Sequence, residues 1–239
     1  MCKIEFPENI NTISVNLMQK IIAKTDFHIE YSPIVSIDSG EVYAYESSGR
    51  FEYSGENLSR DDSLEICYGD IDVFFELDLV LKKEQFSKRP KDKKLFISYD
   101  LDALVNEEKK NRALRSFIKE ENFTINLSNN NNKNVELKKL VRLFNSKNSF
   151  TVENVFEKSS MISMYYLNEC EYIILDKDVL NELKRNKPFF NIIEGIRAFS
   201  YDKNRKIICK GVDCLSEFEL AKSINADFIQ GSYALRVKV

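Results

Sequence analysis

The sequence has few of the residues on which many enzyme active sites depend. Its 239 residues include one histidine, His28, so Cys/His catalysis and histidine-based metal sites have little material. No C-x-x-C spacing suggests zinc or redox chemistry, and the number of cysteines is odd; they are Cys2, Cys67, Cys170, Cys209 and Cys214. Cys209 lies in an apolar run, where we expect a small core residue rather than a nucleophile.

Long apolar runs and linker-like stretches are also missing. No run approaches the ~20 residues that cross a bilayer, and MCKIEFPENINTIS lacks the basic start and apolar stretch of a secretory signal. Only 7 Gly and 4 Pro punctuate the chain, without a Gly/Ser-rich or Pro-rich linker. With 35 Lys+Arg against 38 Asp+Glu, no broad basic surface is expected for nucleic acid or an anionic membrane. We therefore expect one cytoplasmic domain over residues 1–239, with residues 1–13 as an N-terminal extension.

The periodicity of apolar residues predicts two strands followed by an alternation of helices and strands. HIEYSPIVSI and EVYAYESSGRF flank the turn Asp38-Ser39-Gly40 and read as a hairpin. Further β-like segments are KLFISYDL, FTINLS, FTVENVF, YIILD, KIICKG and ADFIQG. The predicted helices are residues 14–24, IDVFFELDLVLKKEQF, residues 107–119, the stretch with Leu137, Leu140, Val141 and Phe144, one with Met161, Met164 and Tyr165, residues past Pro188, and one with Ser216 and Glu219 as a capping box.

Apolar strands separated by amphipathic helices predict parallel strands covered by helices. Their number favours a closed α/β barrel of the modified TIM (β/α)8 type, with one strand antiparallel. Function in such barrels gathers at the carboxyl ends of the strands. The residues there are Glu46, Ser98, Asp100, Asn126, Glu153, Asn154, Asp176, Lys210 and Gln230.

The order of these segments resembles the EAL-domain family, the cyclic-di-GMP phosphodiesterase fold, from about Leu17 onward. EYSPIVSIDSGEVYAYESSGR is similar to that family's opening, with Glu46-Ser47-Ser48 in the place of Glu-Ala-Leu and Arg50 matching an arginine. FFELDLVL resembles the helix that contains Glu-Leu-Asp. CKGVD resembles Ala-Glu-Gly-Val-Glu, and DFIQGSYA resembles the closing Gln-Gly-Tyr-Leu-Phe.

The resemblance implies hydrolysis of cyclic di-GMP by two magnesium or manganese ions, which need several oxygen ligands. Position by position, the signature glutamate survives as Glu46 and an aspartate as Asp176. The remaining positions are changed: Asn to Ser98, Glu to Asn126, Asp-Asp to Glu153-Asn154, the catalytic Lys to Ile174, and the Glu before Gly-Val to Lys210. The sequence therefore resembles a degenerate member of the family, and we expect neither bound metal nor catalysis.

Lys210 decides this interpretation. An ammonium group has no lone pair and would repel a dication. We predict that Lys210 pairs with Glu46 or Glu153 at the barrel mouth; the alternative is that it points to solvent.

Four other candidates have both a functional and a structural interpretation. Arg50 suits a phosphate contact or a structural salt bridge. Gln230 suits a ligand hydrogen bond or the satisfaction of loop backbone. Asp176 and Asp213 are vestigial ligand positions or helix caps.

Three functions remain open at the level of sequence. The first is a catalytically inactive EAL-like domain that regulates by binding another, unidentified protein. The second is a receptor that binds cyclic di-GMP without cutting it, and the third is a weak phosphodiesterase with an altered ligand set. The resemblance also implies that the domain forms a homodimer, as the family often does.

Overall fold

The structure is a computed structural model that describes residues 27–53, 56–58, 71–99, 123–128, 149–153, 156 and 164–236. The strands are β1 (Phe27–Ser36), β2 (Val42–Tyr53), β3 (Glu56–Leu58), β4 (Lys94–Tyr99), β5 (Phe123–Ser128), β6 (Ser149–Glu153), β7 (Tyr172–Leu175), β8 (Lys206–Lys210) and β9 (Phe228–Gln230). The helices are α1 (Ile71–Ser87), α2 (Met164–Glu169), α3 (Lys177–Arg185), α4 (Phe189–Asp202), α5 (Leu215–Ser223) and a 3₁₀ helix (Ala234–Arg236).

The strands close into a barrel. Their order around the sheet is β1-β9-β8-β7-β6-β5-β4-β2, and pairing of β1 with β2 completes the ring, while β3 extends the far end of β2. Within the ring, β1 is antiparallel to both β2 and β9, and the other pairs are parallel. The predicted modified (β/α)8 barrel with one antiparallel strand is confirmed, and so is the β1–β2 hairpin.

Two apolar layers follow from the alternation of side chains along each strand. One set fills the barrel interior: Ile34, Ala44, Phe96, Tyr172, Ile174, Ile208 and Phe228. The alternate residues, among them Ile97, Ile173 and Cys209, pack outward against the helices. The prediction that Cys209 is a core residue is confirmed, since it is fully buried and burial raises its pKa to about 12.

Helix α3 is an element that the sequence pattern did not reveal. Asp176, directly after β7, caps its first turn by accepting hydrogen bonds from the N–H groups of Asp178 and Val179. The helix buries Val179, Leu180 and Leu183 beside the barrel. The helical spacing of these apolar residues after an aspartate N-cap was a signal that the sequence prediction did not use. Among the helices of the described ranges, none has the length and hydropathy of a membrane-spanning segment.

The predicted capping box of α5 is wrong in register. The helix begins at Leu215 with Cys214 as its N-cap, so Ser216 is inside the first turn and Glu219 lies beyond it. Glu217 instead reaches back and accepts a hydrogen bond from the Asp213 N–H at 2.8 Å. This contact satisfies a backbone donor just before the helix, as the glutamate of a capping box does.

Several predictions lie outside the described residues. They are the extension over residues 1–13, the helices at residues 14–24 and 107–119, the Leu137–Phe144 stripe, Met161, Asp100 and Asn154. The assignment of residues 1–239 to one domain stays a prediction.

Candidate functional site

Polar side chains close the barrel interior at the carboxyl ends of the parallel strands. Glu46 stands two residues beyond buried Ala44 on β2, Lys210 two beyond Ile208 on β8, and Gln230 two beyond Phe228 on β9. Because side chains alternate along a strand, each polar residue faces the same interior as the apolar residue before it. Asn126 on β5 and Glu153 on β6 complete this group, which we call the mouth cluster: Glu46, Asn126, Glu153, Lys210 and Gln230.

The Lys210 ammonium lies between two carboxylates. Its Nζ is 2.6 Å from Glu46 Oε1 and donates a second hydrogen bond to Glu153 Oε1. The three side chains are only 22%, 16% and 14% exposed for Lys210, Glu46 and Glu153. The predicted pairing of Lys210 is therefore present, and it involves both glutamates rather than one.

Amide donors complete the shell around Glu46. Asn126 Nδ2 donates to Glu46 Oε1 at 2.7 Å, and Gln230 Nε2 donates to Glu46 Oε2 at 2.8 Å. Asn126 is fully buried, and its Oδ1 accepts a hydrogen bond from Thr151 Oγ1 at 2.9 Å. Because the Glu46 carboxylate only accepts, the nitrogen of the Asn126 amide rather than its oxygen faces Glu46, and the Thr151 hydroxyl donates to the remaining oxygen. Asn126 was predicted as a vestigial ligand position, and the structure presents it as a donor to a carboxylate.

The side chain of Gln230 also has a role that was not predicted by either interpretation. It does not satisfy loop backbone with its side chain, since its amide nitrogen binds Glu46 Oε2. Reversing the amide would place two acceptors against each other, so the carboxylate fixes its orientation. Its Oε1 is buried without a hydrogen-bond partner in the described structure.

The electrostatics of the mouth cluster favour the charged form of Lys210. Burial alone would lower the pKa of its ammonium, but the carboxylates of Glu153 and Glu46 outweigh burial and raise the pKa above the ordinary 10.5. The side chain is therefore a permanent cation at physiological pH.

Arg50 lies apart from this hydrogen-bonded group. Arg50 Nε donates to Glu30 Oε2 at 2.9 Å, and the two side chains are 38% and 46% exposed. Arg50 therefore forms a salt bridge, as one of its two interpretations predicted, and its partner Glu30 lies on the neighbouring strand β1. Ser98 lies opposite Asn126 in the register of β4 and β5 and is partly buried.

Asp213 belongs to a second polar group, centred on Lys177 at the start of α3. Lys177 Nζ lies 2.7 Å from Asp213 Oδ2, 2.7 Å from the Gly211 carbonyl and 3.0 Å from Glu217 Oε2. Asp213 also accepts a hydrogen bond from the Ser232 N–H at 3.0 Å. These contacts fix the turn that follows Lys210. Hydrogen bonds from Lys177 and Ser232 hold the pKa of Asp213 below its usual value.

Glu217 ties the same group to the helices. Burial alone would raise its pKa, but hydrogen bonds from the Asp213 N–H, Lys184 and Lys177 lower it to about 2. Asp213 was predicted as a ligand position or helix cap. The structure places it in a loop-fixing ion pair, while Asp176 is the helix cap.

Sequence reasoning missed two residues that organise the site. Thr151 donates to the Asn126 amide oxygen, and its position two residues before Glu153 on one strand was an available signal for the shared face. Lys177 follows the strand-end Asp176 directly, but nothing in the sequence indicates that its ammonium reaches Asp213.

The mouth cluster does not fit a pair of divalent cations. Magnesium and manganese need several oxygen ligands, whereas the lone pairs of Glu46 face an ammonium and two amide N–H donors. Within the described residues, no group of three or more His, Cys, Asp or Glu side chains could hold a metal ion. The arrangement is that of a compensated ion-pair network.

Comparisons with known proteins place this geometry in context. The family model described as the EAL domain matches residues 15–236. The PaMucR phosphodiesterase in a c-di-GMP complex is similar in structure, with a TM-score of 0.76, 14% identity, and 92% of this chain and 94% of that chain covered. An EAL domain protein from Listeria monocytogenes EGD-e has a TM-score of 0.75 and 16% identity, covering 98% of this chain and 93% of that chain.

The FimX EAL domain from Pseudomonas aeruginosa, bound to c-di-GMP, is another structural neighbour. Its TM-score is 0.69 at 18% identity, with 92% of this chain and 94% of that chain covered. A search of curated protein sequences gave no significant match. At such identities the structural likeness establishes the fold alone.

Proposed function

Because the chain belongs to the EAL domain family, we propose that it is a catalytically inactive member that acts as a regulatory protein-interaction module in cyclic-di-GMP-related signalling. The observation that supports this proposal is the Lys210 ammonium between Glu46 and Glu153. In this proposal the chain acts without a metal cofactor. Its partner protein, a cytoplasmic location and a homodimeric state are parts of the same proposal.

The argument against catalysis is electrostatic. A dication entering the mouth cluster would meet the Lys210 ammonium within hydrogen-bond distance of the carboxylates it needs. Deprotonating Lys210 to make room is unfavourable, because those carboxylates raise its pKa. The loss of a carboxylate at Asn126 removes a further anionic ligand. Glu46 and Glu153 are compensated by protein donors, and metal is not required to offset their buried charge.

The experiment measures hydrolysis of cyclic di-GMP by the purified chain with magnesium or manganese present. We expect no linear dinucleotide above a blank without protein, and no saturable heat of metal binding in calorimetry. The matched variant Lys210→Glu removes the ammonium and adds a carboxylate, and we expect it to gain measurable manganese binding. Turnover by the unchanged chain would contradict the proposal.

A second candidate is a receptor that binds cyclic di-GMP without cutting it. The observation in its favour is that two structural neighbours, the PaMucR phosphodiesterase and the FimX EAL domain, were solved with c-di-GMP bound. Calorimetric titration with cyclic di-GMP, with and without magnesium, separates the two candidates. Metal-independent saturable binding without product favours the receptor, and no binding leaves the protein-interaction module.

A further inference from the structure

A second cavity lies at the amino end of the barrel, opposite the mouth cluster. It has a volume of about 450 Å³ and lies where the β1–β2 turn meets the starts of β4 and β9. This size is in the range of pockets that hold small molecules. The residues of its lining that carry charge or aromatic rings are Glu41, Tyr43, Asp92, Lys93, Lys94 and Phe228.

The Lys94 ammonium is neutralised within the protein. Its Nζ lies 3.5 Å from Glu171 Oε1 and 2.9 Å from Tyr172 Oη. The Tyr172 hydroxyl also forms a hydrogen bond with the Glu171 carboxylate, and in that bond only the hydroxyl can donate. Lys94 and Glu171 therefore add no net charge to the cavity.

The proton of the Tyr43 hydroxyl is also used inside the protein. Tyr43 Oη lies 2.5 Å from Tyr172 Oη. Because the Tyr172 proton is donated to Glu171, the Tyr43 hydroxyl is the donor between the two tyrosines. The Tyr43 oxygen then has lone pairs to accept further hydrogen bonds and no proton to donate, so Tyr43 is an acceptor in the cavity lining.

Two carboxylates at the cavity rim have no counter-ion. Glu41 and Asp92 are exposed, and neither forms an ion pair within the part of the chain that the structure describes. Lys93 is next to Asp92, but Leu95, two residues after Lys93, packs outward against the helices. The alternation of β4, continued back by one residue, therefore directs the Lys93 side chain to the outer face, away from the barrel axis.

The cavity floor is aromatic. The Tyr43 ring stacks on the Phe228 ring, with their centroids 4.2 Å apart and the planes at 19°. Phe228 is buried and Tyr43 is half-buried, so Tyr43 is the accessible ring of the stack. The face of a tyrosine ring attracts cations and packs against flat apolar groups.

We propose that this cavity binds a small organic cation, an ammonium or amidinium group attached to a flat apolar body. Glu41 and Asp92 offset its positive charge, and the Tyr43 oxygen accepts one of its hydrogen bonds. The Tyr43 ring packs against the apolar body. This site is separate from the mouth cluster and does not depend on the proposed function.

The test titrates the full chain with benzylamine and benzamidine, which are both cations at neutral pH, and follows amide NMR shifts. Benzyl alcohol is the neutral analogue and benzoate the anionic one. We expect both cations to bind saturably, with shifts centred on residues 39–43 and 92–94, and benzoate not to saturate. Benzyl alcohol should bind about tenfold more weakly, because it lacks the charge that the carboxylates and the ring attract. Tighter binding of benzamidine identifies a planar amidine or guanidine as the ligand, and the reverse identifies an alkylammonium.

Variants of the two rim carboxylates identify the groups responsible. Glu41→Gln and Asp92→Asn should each weaken benzylamine binding by about two- to fivefold, the value of one exposed ion pair, and the double variant by about tenfold. Both side chains are exposed, so we expect the variants to fold. Asp38→Asn is the matched control, because Asp38 is exposed in the same turn but does not line the cavity. It should change the affinity by less than about twofold.

Four results would overturn the proposal. They are benzyl alcohol binding as tightly as the cations, a failure of both cations to saturate, unchanged benzylamine binding by the double variant, and a loss in Asp38→Asn equal to that in the cavity variants.

Discussion

Replacing Lys210 by methionine tests the central electrostatic claim as a stability measurement. The substitution keeps the length of the side chain but removes the ammonium from between Glu46 and Glu153. Removing one partner of a buried ion pair costs about 3–5 kcal/mol. Because these side chains keep 14–22% exposure, we expect water to relieve part of this and the loss to be about 2–4 kcal/mol.

The loss should depend on pH with a definite sign. In the unchanged chain the raised pKa of Lys210 means that its contribution is fully present below 10.5 and is lost only as the pH rises further. Between pH 5 and 8 this contribution is therefore constant. In the variant, the two facing carboxylates compete for one proton, which raises a carboxyl pKa. The destabilisation should therefore be largest near pH 8 and shrink towards pH 5.

The assay is equilibrium unfolding in urea, followed by circular dichroism, with the free energy taken from midpoint and slope. Lys206→Met is the matched control on the same strand. Lys206 pairs with Asp227, but Arg197 and the Ile207 N–H also bind that carboxylate. We expect the control to cost less than about 1 kcal/mol. Equal losses for both variants, or a Lys210→Met loss that does not change with pH, would refute the reasoning.

Four further predictions concern the surrounding scaffold. Glu217→Gln should lower the free energy of unfolding by about 1–2 kcal/mol at pH 7. This loss should vanish as the pH falls from 4.5 towards about 2, the pKa of Glu217 in the folded chain, and urea unfolding at a series of pH values measures it. Gly231→Ala should prevent stable folding or cost several kcal/mol in a thermal melt, roughly as for severe strain, because its φ is +148° and a Cβ would lie 2.3 Å from the Val212 carbonyl oxygen. Gly195→Ala, in α4 with nothing within 4 Å of the added carbon, should instead stabilise by about 0.5–1 kcal/mol. Asp176→Ala should cost about 1 kcal/mol in the same melts through loss of the α3 cap.

The barrel could be predicted from the sequence because apolar strands alternate with helical stretches along the chain. The hairpin was legible from the Asp38-Ser39-Gly40 turn, since Gly40 adopts the positive φ of 69° that such a turn favours. The first residue of α5 could not be predicted from the sequence, because Glu217 and Glu219 are both acidic residues near the start of the helix. Only the position of the Asp213 N–H distinguishes them.

The mouth cluster could be predicted in part. The pairing of Lys210 with Glu46 or Glu153 followed from charge balance at strand ends, whereas its contact with both glutamates did not. The roles of Asn126 and Gln230 did not, because an amide presents either a donor or an acceptor, and only the neighbouring groups determine which. The Glu46 carboxylate, which can only accept, determines the orientation of both amides.

The contacts of Lys210 also affect how the strands separate at the carboxyl ends of the barrel. Lys210 is on β8, whereas Glu46 and Glu153 are on β2 and β6, neither of which pairs directly with β8 in the closed ring. The Lys210 ammonium thus links β8 to two strands that are not its neighbours in the ring. Moving β2 or β6 away from β8 at this end should therefore disturb both contacts. Amide hydrogen exchange at the carboxyl ends of β2, β6 and β8 should consequently proceed as one cooperative unit, and in Lys210→Met these three ends should exchange independently.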